Sequence, residues 1–356
     1  MSSKIRVLIV DDSALIRSLL SKTLSTDPEL EVVGAAKDPY EARDMLVRLK
    51  PDVLTLDVEM PKMDGVTFLK KLMGKMPIPT VMLSTLTEKG AAITVEALEA
   101  GAVDILTKPK NLVDGVPAMA AELCQTVKRA ARVKVRKRAA PMASSAVENP
   151  LENSTDKVIA IGASTGGVEA IARILPKFPK SSPGIVIVIH MPEAYTGPFA
   201  ARLNKTCAME VREAKPKDRI RAGVALVAPG GKHHLVVQRF GGQYRVGMAP
   251  PSPKDPHVPG VDHMFLSVAK AAGANAVGVI LTGMGDDGAR GMMAMKNAGA
   301  PCFAQDEASC VVFGMPKVAL QSGAAERAVP LDLIPKTVLD AFRAQGGKPK
   351  ATGTGR

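Results

Sequence analysis

The chain has 356 residues, 46% of them apolar and 23% charged, with 47 Lys and Arg against 35 Asp and Glu for a net charge of +12. That length exceeds a typical single domain and predicts two. Aromatic residues make up 3% and Trp is absent, which argues against a stacking platform for single-stranded nucleic acid.

The charge excess is local. Lys128, Arg129, Arg132, Lys134, Arg136, Lys137 and Arg138 crowd into one short run, and no Asp or Glu lies between Leu123 and Val147. Such runs are solvated linkers or helix ends more often than nucleic-acid surfaces, so no nucleic-acid partner is expected. Cys124, Cys207, Cys302 and Cys310 show no metal-ligand spacing, which suits reduced thiols in the cytosol. The opening MSSKIRVLIV has no signal-peptide anatomy, and the apolar run IVIVI is far too short to span a bilayer. The expectation is a cytoplasmic protein with no direct membrane insertion.

Strand-like runs IRVLIV, EVVGAA, DVLTLDV, TVMLST and DILTK alternate with helical runs SALIRSLLSKTL, PYEARDMLVRLK, DGVTFLKKLMGK and AAITVEALEAG. That alternation predicts a doubly wound parallel sheet over residues 1–130. Asp11 and Asp12 end its first strand, Asp57 the third, Ser84 and Thr85 the fourth, and Lys108 the fifth, ahead of Pro109. In open α/β sheets functional groups gather at such strand ends. Three converging carboxylates repel one another unless a hard divalent cation such as Mg²⁺ sits among them. A lysine and a hydroxyl nearby can hold phosphoryl oxygens. Asp-Asp before a helix also serves as a simple N-cap.

VDDS, LTLDVEMPKMDG, the Ser-Thr after strand four and TKP together resemble the receiver domain of bacterial two-component response regulators, a flavodoxin-like fold. The resemblance implies that Asp57 accepts a phosphoryl group from a histidine kinase. It implies that Asp11, Asp12 and Asp57 bind Mg²⁺, that Ser84 is the switch hydroxyl and Lys108 the phosphate-sensing lysine, and that Pro109 follows a cis peptide. Many receivers carry an aromatic switch on strand five; Ile105 stands near that position here.

Residues 131–156 move from basic to Ala/Ser/Pro to polar and read as an interdomain linker. A second α/β domain is expected over 157–345, with strands at KVIAIGAS, GIVIVIH, GVALVAPG and NAVGVILTG, a hairpin from HLVVQR to QYRVGMA, and helices at VEAIARIL, FLSVAKAAG and GARGMMAMKNAG. The tail 346–356 reads as disordered.

The stretch GASTGG supports two readings. As a dinucleotide fingerprint it lacks the middle glycine, which Ser164 replaces. As a nucleophile elbow, G-x-S-x-G between strand and helix, it fits from Gly162 to Gly166. Ser164 could instead cap the following helix. An esterase serine needs a base and an orienting acid. Of the five histidines, His190 directly follows an apolar strand and is the preferred base. His233 and His234 are runners-up, while His257 and His263 lie in loop or helix-start text. The strand NAVGVILTG leads into Asp286 and Asp287, and either could orient a histidine or cap a helix.

IGASTGG, HMP, LTGMGDDG and QDEASCVVFGMP, behind a receiver and a basic linker, resemble the chemotaxis protein-glutamate methylesterase (CheB) family over essentially the whole chain. The resemblance implies a doubly wound α/β methylesterase domain with Ser164 as nucleophile, His190 as base and Asp287 as orienting acid. That family commonly has Asn where this chain has Asp286. The backbone amides of Thr165 and Met284 are implied as oxyanion donors. The implied activity is hydrolysis of glutamate γ-methyl esters on methyl-accepting chemoreceptors, with deamidation of certain glutamines, released when Asp57 is phosphorylated. No cofactor is expected in the catalytic domain. Two other readings stand beside it: a DNA-binding response regulator, which the α/β text of the second domain disfavours, and a stand-alone hydrolase of small esters.

Overall fold

The computed structural model describes residues 4–85, 87–108, 112–133, 135 and 156–346. Two units, within Met1–Ala140 and Pro141–Arg356, each hold a main sheet of their own. Most of the expected linker, the whole of the tail beyond Gly346, and Pro109 with its preceding peptide bond lie outside the described residues.

The first unit runs β1 (Ile5–Val10), α1 (Ala14–Leu24), β2 (Leu30–Ala36), α2 (Pro39–Leu49), β3 (Val53–Asp57), α3 (Gly65–Lys75), β4 (Thr80–Ser84), α4 (Glu88–Glu99), β5 (Asp104–Thr107) and α5 (Leu112–Ala131). Its strands form one parallel sheet in the order β2-β1-β3-β4-β5. Every residue of β3 and β4 is buried, as expected for strands covered on both faces. Helix starts are fixed by side-chain caps. Ser13, Asp38, Asp64 and Thr87 accept hydrogen bonds from the first-turn amides of α1 to α4.

The basic run begins inside α5. Lys128 pairs with Asp27 at 2.8 Å and Glu29 at 3.0 Å, and Arg129 reaches Asp104 at 3.4 Å. The first two cations of the run therefore help fold the first unit.

The second unit runs β6 (Val158–Ala163), α6 (Gly167–Ile174), β7 (Gly184–Ile189), α7 (Glu193–Asn204), β8 (Glu210–Glu213), β9 (Arg219–Ile220), β10 (Val224–Val227), β11 (His234–Phe240), β12 (Gln243–Ala249), α8 (Val261–Ala272), β13 (Ala276–Ile280), α9 (Ala289–Asn297), β14 (Cys302–Gln305), α10 (Met315–Gln321), β15 (Arg327–Val329) and α11 (Ile334–Gly346). Its seven-stranded parallel sheet has the order β15-β14-β13-β6-β7-β10-β8. A smaller antiparallel sheet, β11-β12-β9, holds the expected hairpin. From β6 the chain builds outward on one side through β7 and β10, then returns to build the other side from β13. The strand order thus reverses at β6, where ligands bind in folds of this kind.

All residues of β6, β7 and β13 are buried. Against β6 lies α8, whose Val261, Met264, Phe265 and Val268 are buried. Away from that face, α6 is tied to the segment before α11. Arg173 grips the Asp332 carboxylate with both arms of its guanidinium, and Lys177 adds a 2.6 Å contact.

Candidate active site

The three central strands β13, β6 and β7 end side by side, and each delivers one polar residue. Ser164 follows β6, His190 follows β7, and Asp287 lies on the loop between β13 and α9. Ser164 Oγ lies 3.1 Å from His190 Nδ1, and His190 Nε2 lies 2.7 Å from Asp287 Oδ2. The carboxylate can only accept, so Nε2 carries the proton and Nδ1 is free to accept from the serine hydroxyl. The ring is therefore turned the other way from the best-known Ser-His-Asp arrangement, in which Nε2 faces the serine.

Asp287, and not Asp286, meets the histidine. Its two oxygens also accept from the backbone N–H groups of Val261 at 2.8 Å and Asp262 at 2.9 Å. Burial opposes its charge, but His190 and these two amides outweigh it and hold the carboxyl below the usual range. Asp262 returns the grip, accepting from the N–H groups of Gly288 at 3.1 Å and Gly291 at 2.7 Å. The starts of α8 and α9 are clasped in this way around the acid.

Ser164 does not cap α6. The cap position is Gly166, with φ of 79° and no side-chain cap bond. A Cβ at Gly166 would also meet Val311 Cβ at 2.5 Å, so this turn excludes larger residues on both counts. Among the described residues, the backbone N–H groups of Thr165 and Met284 have no hydrogen-bond acceptor. They flank the serine from the loops after β6 and β13.

The remaining histidines take two positions that sequence reasoning did not foresee. His257 stacks on His190, with ring centroids 4.0 Å apart. His234, wholly buried, stacks on His263 at 3.7 Å, and both offer Nε2 to Asp255, at 3.0 and 3.2 Å. Gly260 N–H donates to His234 Nδ1, which leaves Nε2 as the donor toward Asp255. The Ser252 N–H above all, with the two rings, holds the Asp255 carboxyl down to about 2. This trio has the composition of a metal site. Its hydrogen bonding does not suit one: a neutral His234 that ligated through Nε2 would carry its proton on Nδ1, where the Gly260 N–H already donates. The cluster anchors the loop that carries His257. His233, beside it in sequence, is exposed. Beyond Asp287 a cavity of about 520 Å³ opens, lined among others by Lys254, His257, His263, Asp286 and Arg290.

The family assignment follows from the whole length of the chain. The CheB methylesterase family matches residues 159–338, and the response regulator receiver domain matches residues 7–120. A protein-glutamate methylesterase/protein-glutamine glutaminase of Syntrophotalea carbinolica is 55% identical over 347 residues, spanning 96% of this chain and 98% of that protein.

The chain belongs to the CheB methylesterase family.

A protein of the same description from Thiobacillus denitrificans is 50% identical over 352 residues, spanning 96% of this chain and 98% of that one. The crystal structure of the Thermotoga maritima CheB methylesterase catalytic domain aligns with a TM-score of 0.50 at 34% identity, covering 52% of this chain and 97% of that one.

The receiver of this CheB family member gathers its own polar cluster at the carboxyl ends of β1, β3, β4 and β5. Asp11 and Asp57 are buried and Asp12 is exposed, yet one oxygen from each falls within 4.8 Å of the others. Ser13, and not the Asp pair, caps α1. Lys108 Nζ bridges Asp11 and Asp57 at 2.7 Å each. Burial pushes the Asp57 carboxyl up to about 6, against the pull of Lys108. A set of three carboxylates suits a hard divalent ion. Ser84 lies one residue beyond the partner of Asp57 in the β3–β4 register, and its buried hydroxyl lies 2.7 Å from Thr94 Oγ1. Ile105 pairs with Met82 and fills the strand-five position with an aliphatic side chain. Gly65 is dictated by contact, since a Cβ there would lie 2.0 Å from the Asp57 carbonyl oxygen.

Proposed function

We propose that this chain hydrolyses glutamate γ-methyl esters on chemoreceptors, and deamidates receptor glutamines, in chemotaxis signalling under control of Asp57 phosphorylation. The observation that carries the reading is the unbroken chain Ser164–His190–Asp287 across three adjacent strand ends. The relatives, described as protein-glutamate methylesterase/protein-glutamine glutaminase, supply the substrate class.

Ser164 Oγ attacks the ester carbonyl as its proton passes to His190 Nδ1. Asp287 accepts from Nε2–H throughout and stabilises the imidazolium that forms. The tetrahedral oxyanion accepts from the N–H groups of Thr165 and Met284, whose placement beforehand is the source of stabilisation. Methanol leaves with the proton from Nδ1; with a glutamine substrate, ammonia leaves. Water, deprotonated by the same nitrogen, then releases the glutamate and frees Ser164.

In the receiver, Asp11, Asp12 and Asp57 would hold Mg²⁺, which when bound offsets charge on the phosphoryl group. Asp57 Oδ attacks phosphorus of a histidine kinase phosphohistidine, the P–N bond breaks and the kinase imidazole leaves, Lys108 turns to the new phosphoryl oxygens, and Ser84 engages the same group. The Asp57 carboxylate is replaced by an acyl phosphate that carries about 1.5–2 negative charges on its phosphoryl oxygens, and this change relieves a restraint on the esterase. A tenfold activation needs only about 1.4 kcal/mol of bias.

The reading places the protein in the cytoplasm, where receptor methylation sites are exposed. Among the described residues no helix is long and apolar enough to cross a membrane. The test is methanol release from methylated receptor membranes, with and without a small-molecule phosphodonor. Ser164→Ala is expected to abolish release, and sustained release by that variant would refute the mechanism.

A further inference from the structure

We propose that Thr282 is a positioning residue that holds both oxyanion amides in register with Ser164. The inference rests on the catalytic reading given above and assigns a role to a residue outside the triad.

Thr282 lies just past β13 and is 1% exposed. Several polar groups converge on it. Its N–H donates to Gln305 Oε1 at 2.8 Å, and its carbonyl accepts from Ser164 N–H at 3.0 Å. Its hydroxyl accepts from Val312 N–H at 2.9 Å and lies 2.9 Å from the Thr165 carbonyl oxygen. The Val312 carbonyl is also near, at 3.2 Å, but it already accepts from Gly283 N–H at 3.1 Å. A hydroxyl has one proton to give, and Thr165 offers the shorter contact.

These bonds clamp one dipeptide from both sides. The Ser164–Thr165 pair has its first N–H and its last C=O fixed on Thr282. The N–H between them, that of Thr165, is the one left to face an oxyanion. The Met284 side is held through the same node. Val312 N–H is tied to the Thr282 hydroxyl and Val312 C=O to Gly283 N–H, while Gly283 C=O accepts from Gly314 at 3.1 Å and Met315 at 2.9 Å. Three loops, after β6, β13 and β14, therefore meet at one oxygen atom.

Gln305 makes the node rigid. It is wholly buried on β14, and its Nε2 donates to the Ser309 carbonyl at 2.8 Å, which fixes Oε1 toward Thr282. Without the Thr282 hydroxyl, the Val312 N–H and the Thr165 C=O lose that partner, and buried groups so exposed shift to find another. Displacement by about 1 Å is enough to cost ~10²-fold in rate.

The experiment compares Thr282→Val, which keeps the shape and removes the hydroxyl, with Thr282→Ser, which keeps the hydroxyl. Methanol release from methylated receptor membranes is measured for the full chain, scaled to the folded fraction from circular dichroism. Thr282→Val is expected to lose about 100-fold in kcat with KM within about threefold, because only the transition state uses the displaced donors. Thr282→Ser is expected to recover most of that loss. Thr282→Ala, which cannot overpack, replaces the Val variant if that one does not fold.

Wild-type kcat in a hydroxyl-free variant, a loss confined to KM, or failure of Thr282→Ser to recover would each overturn the assignment. Ser164→Ala run alongside separates the two levels. Activity in Ser164→Ala defeats the catalytic reading itself. An inactive Ser164→Ala beside a fully active Thr282→Val defeats only the role given to Thr282.

Discussion

The imidazoles of His190 and His257 lie face to face, with centroids 4.0 Å apart and planes inclined by 20°. A flat neighbour at van der Waals distance limits how far the His190 ring can tilt as it gains and loses a proton. Replacing His257 with Ala removes that wall, and kcat for methanol release is expected to fall about three- to tenfold through looser orientation. His257→Phe keeps a flat face and is expected to retain most of the activity. Equal losses in both variants would mean that the polar ring, not its flatness, is what matters.

Asp287→Asn tests the acid. Val261 N–H and His190 Nε2 meet one carboxylate oxygen and Asp262 N–H the other, so an asparagine whose oxygen accepts from Asp262 turns its NH₂ toward both Val261 and His190 Nε2. That favours the proton on Nδ1, where it blocks acceptance from Ser164. A loss of ~10⁴-fold in kcat is expected, as for the comparable change elsewhere. Asp286→Asn, at an exposed position that does not hydrogen-bond His190, is expected to stay within about threefold of wild type in the same assay.

Asp57→Asn removes the phosphoryl acceptor and leaves the esterase strands untouched. Basal methanol release is expected to persist, while the response to a phosphodonor disappears. Stimulation surviving in this variant would place control at another residue.

Asp332 provides a stability prediction with a defined sign. Arg173 first, with Lys177, holds its carboxyl down to about 2, against an ordinary value of 3.8. A carboxyl lowered in the folded state contributes stability that is complete above its unfolded pKa. The contribution is lost as pH falls from about 4 toward 2, and on this shift it amounts to roughly 2 kcal/mol. In urea unfolding, Asp332→Asn is expected to be destabilised near pH 7, with the gap to wild type closing as pH drops through that window. A gap that stays constant with pH would show that the ion pair contributes through packing alone.

Much of this was legible in the sequence because the chemistry sits at strand ends, and buried parallel strands announce themselves as apolar runs. The positions after IAIGA, IVIVI and AVGVI could be named before their order in the sheet was known. The choice between Asp286 and Asp287 could not be made from local text. It depends on which carboxylate meets the N-terminal amides of α8, a contact between residues 25 and 26 positions apart. Helix α7 is absent from the sequence reading; Gly197 and Pro198 interrupt its helical pattern, although Tyr195, Phe199 and Leu203 are buried on one face. Strands β8 and β15 are short and charged, so neither periodicity nor an apolar run marks them. The roles of Thr282 and His257 were hidden for a further reason: each depends on a bond or a stacked ring between loops distant in sequence.

The turned ring of His190 sets a rule of reach. Nδ1 is attached to the ring carbon nearest the backbone, so a histidine that works through it has a short arm and serves only a serine close to its own main chain. Neighbouring strands lie about 4.8 Å apart, and His190 N–H still continues the ladder from β7 onto the Ala163 carbonyl, one residue before Ser164. Nucleophile and base are consequently spaced by the backbone ladder itself. A designer moving this trio to another parallel sheet would need three consecutive strand ends, and beside them the strand whose Gln305 braces Thr282.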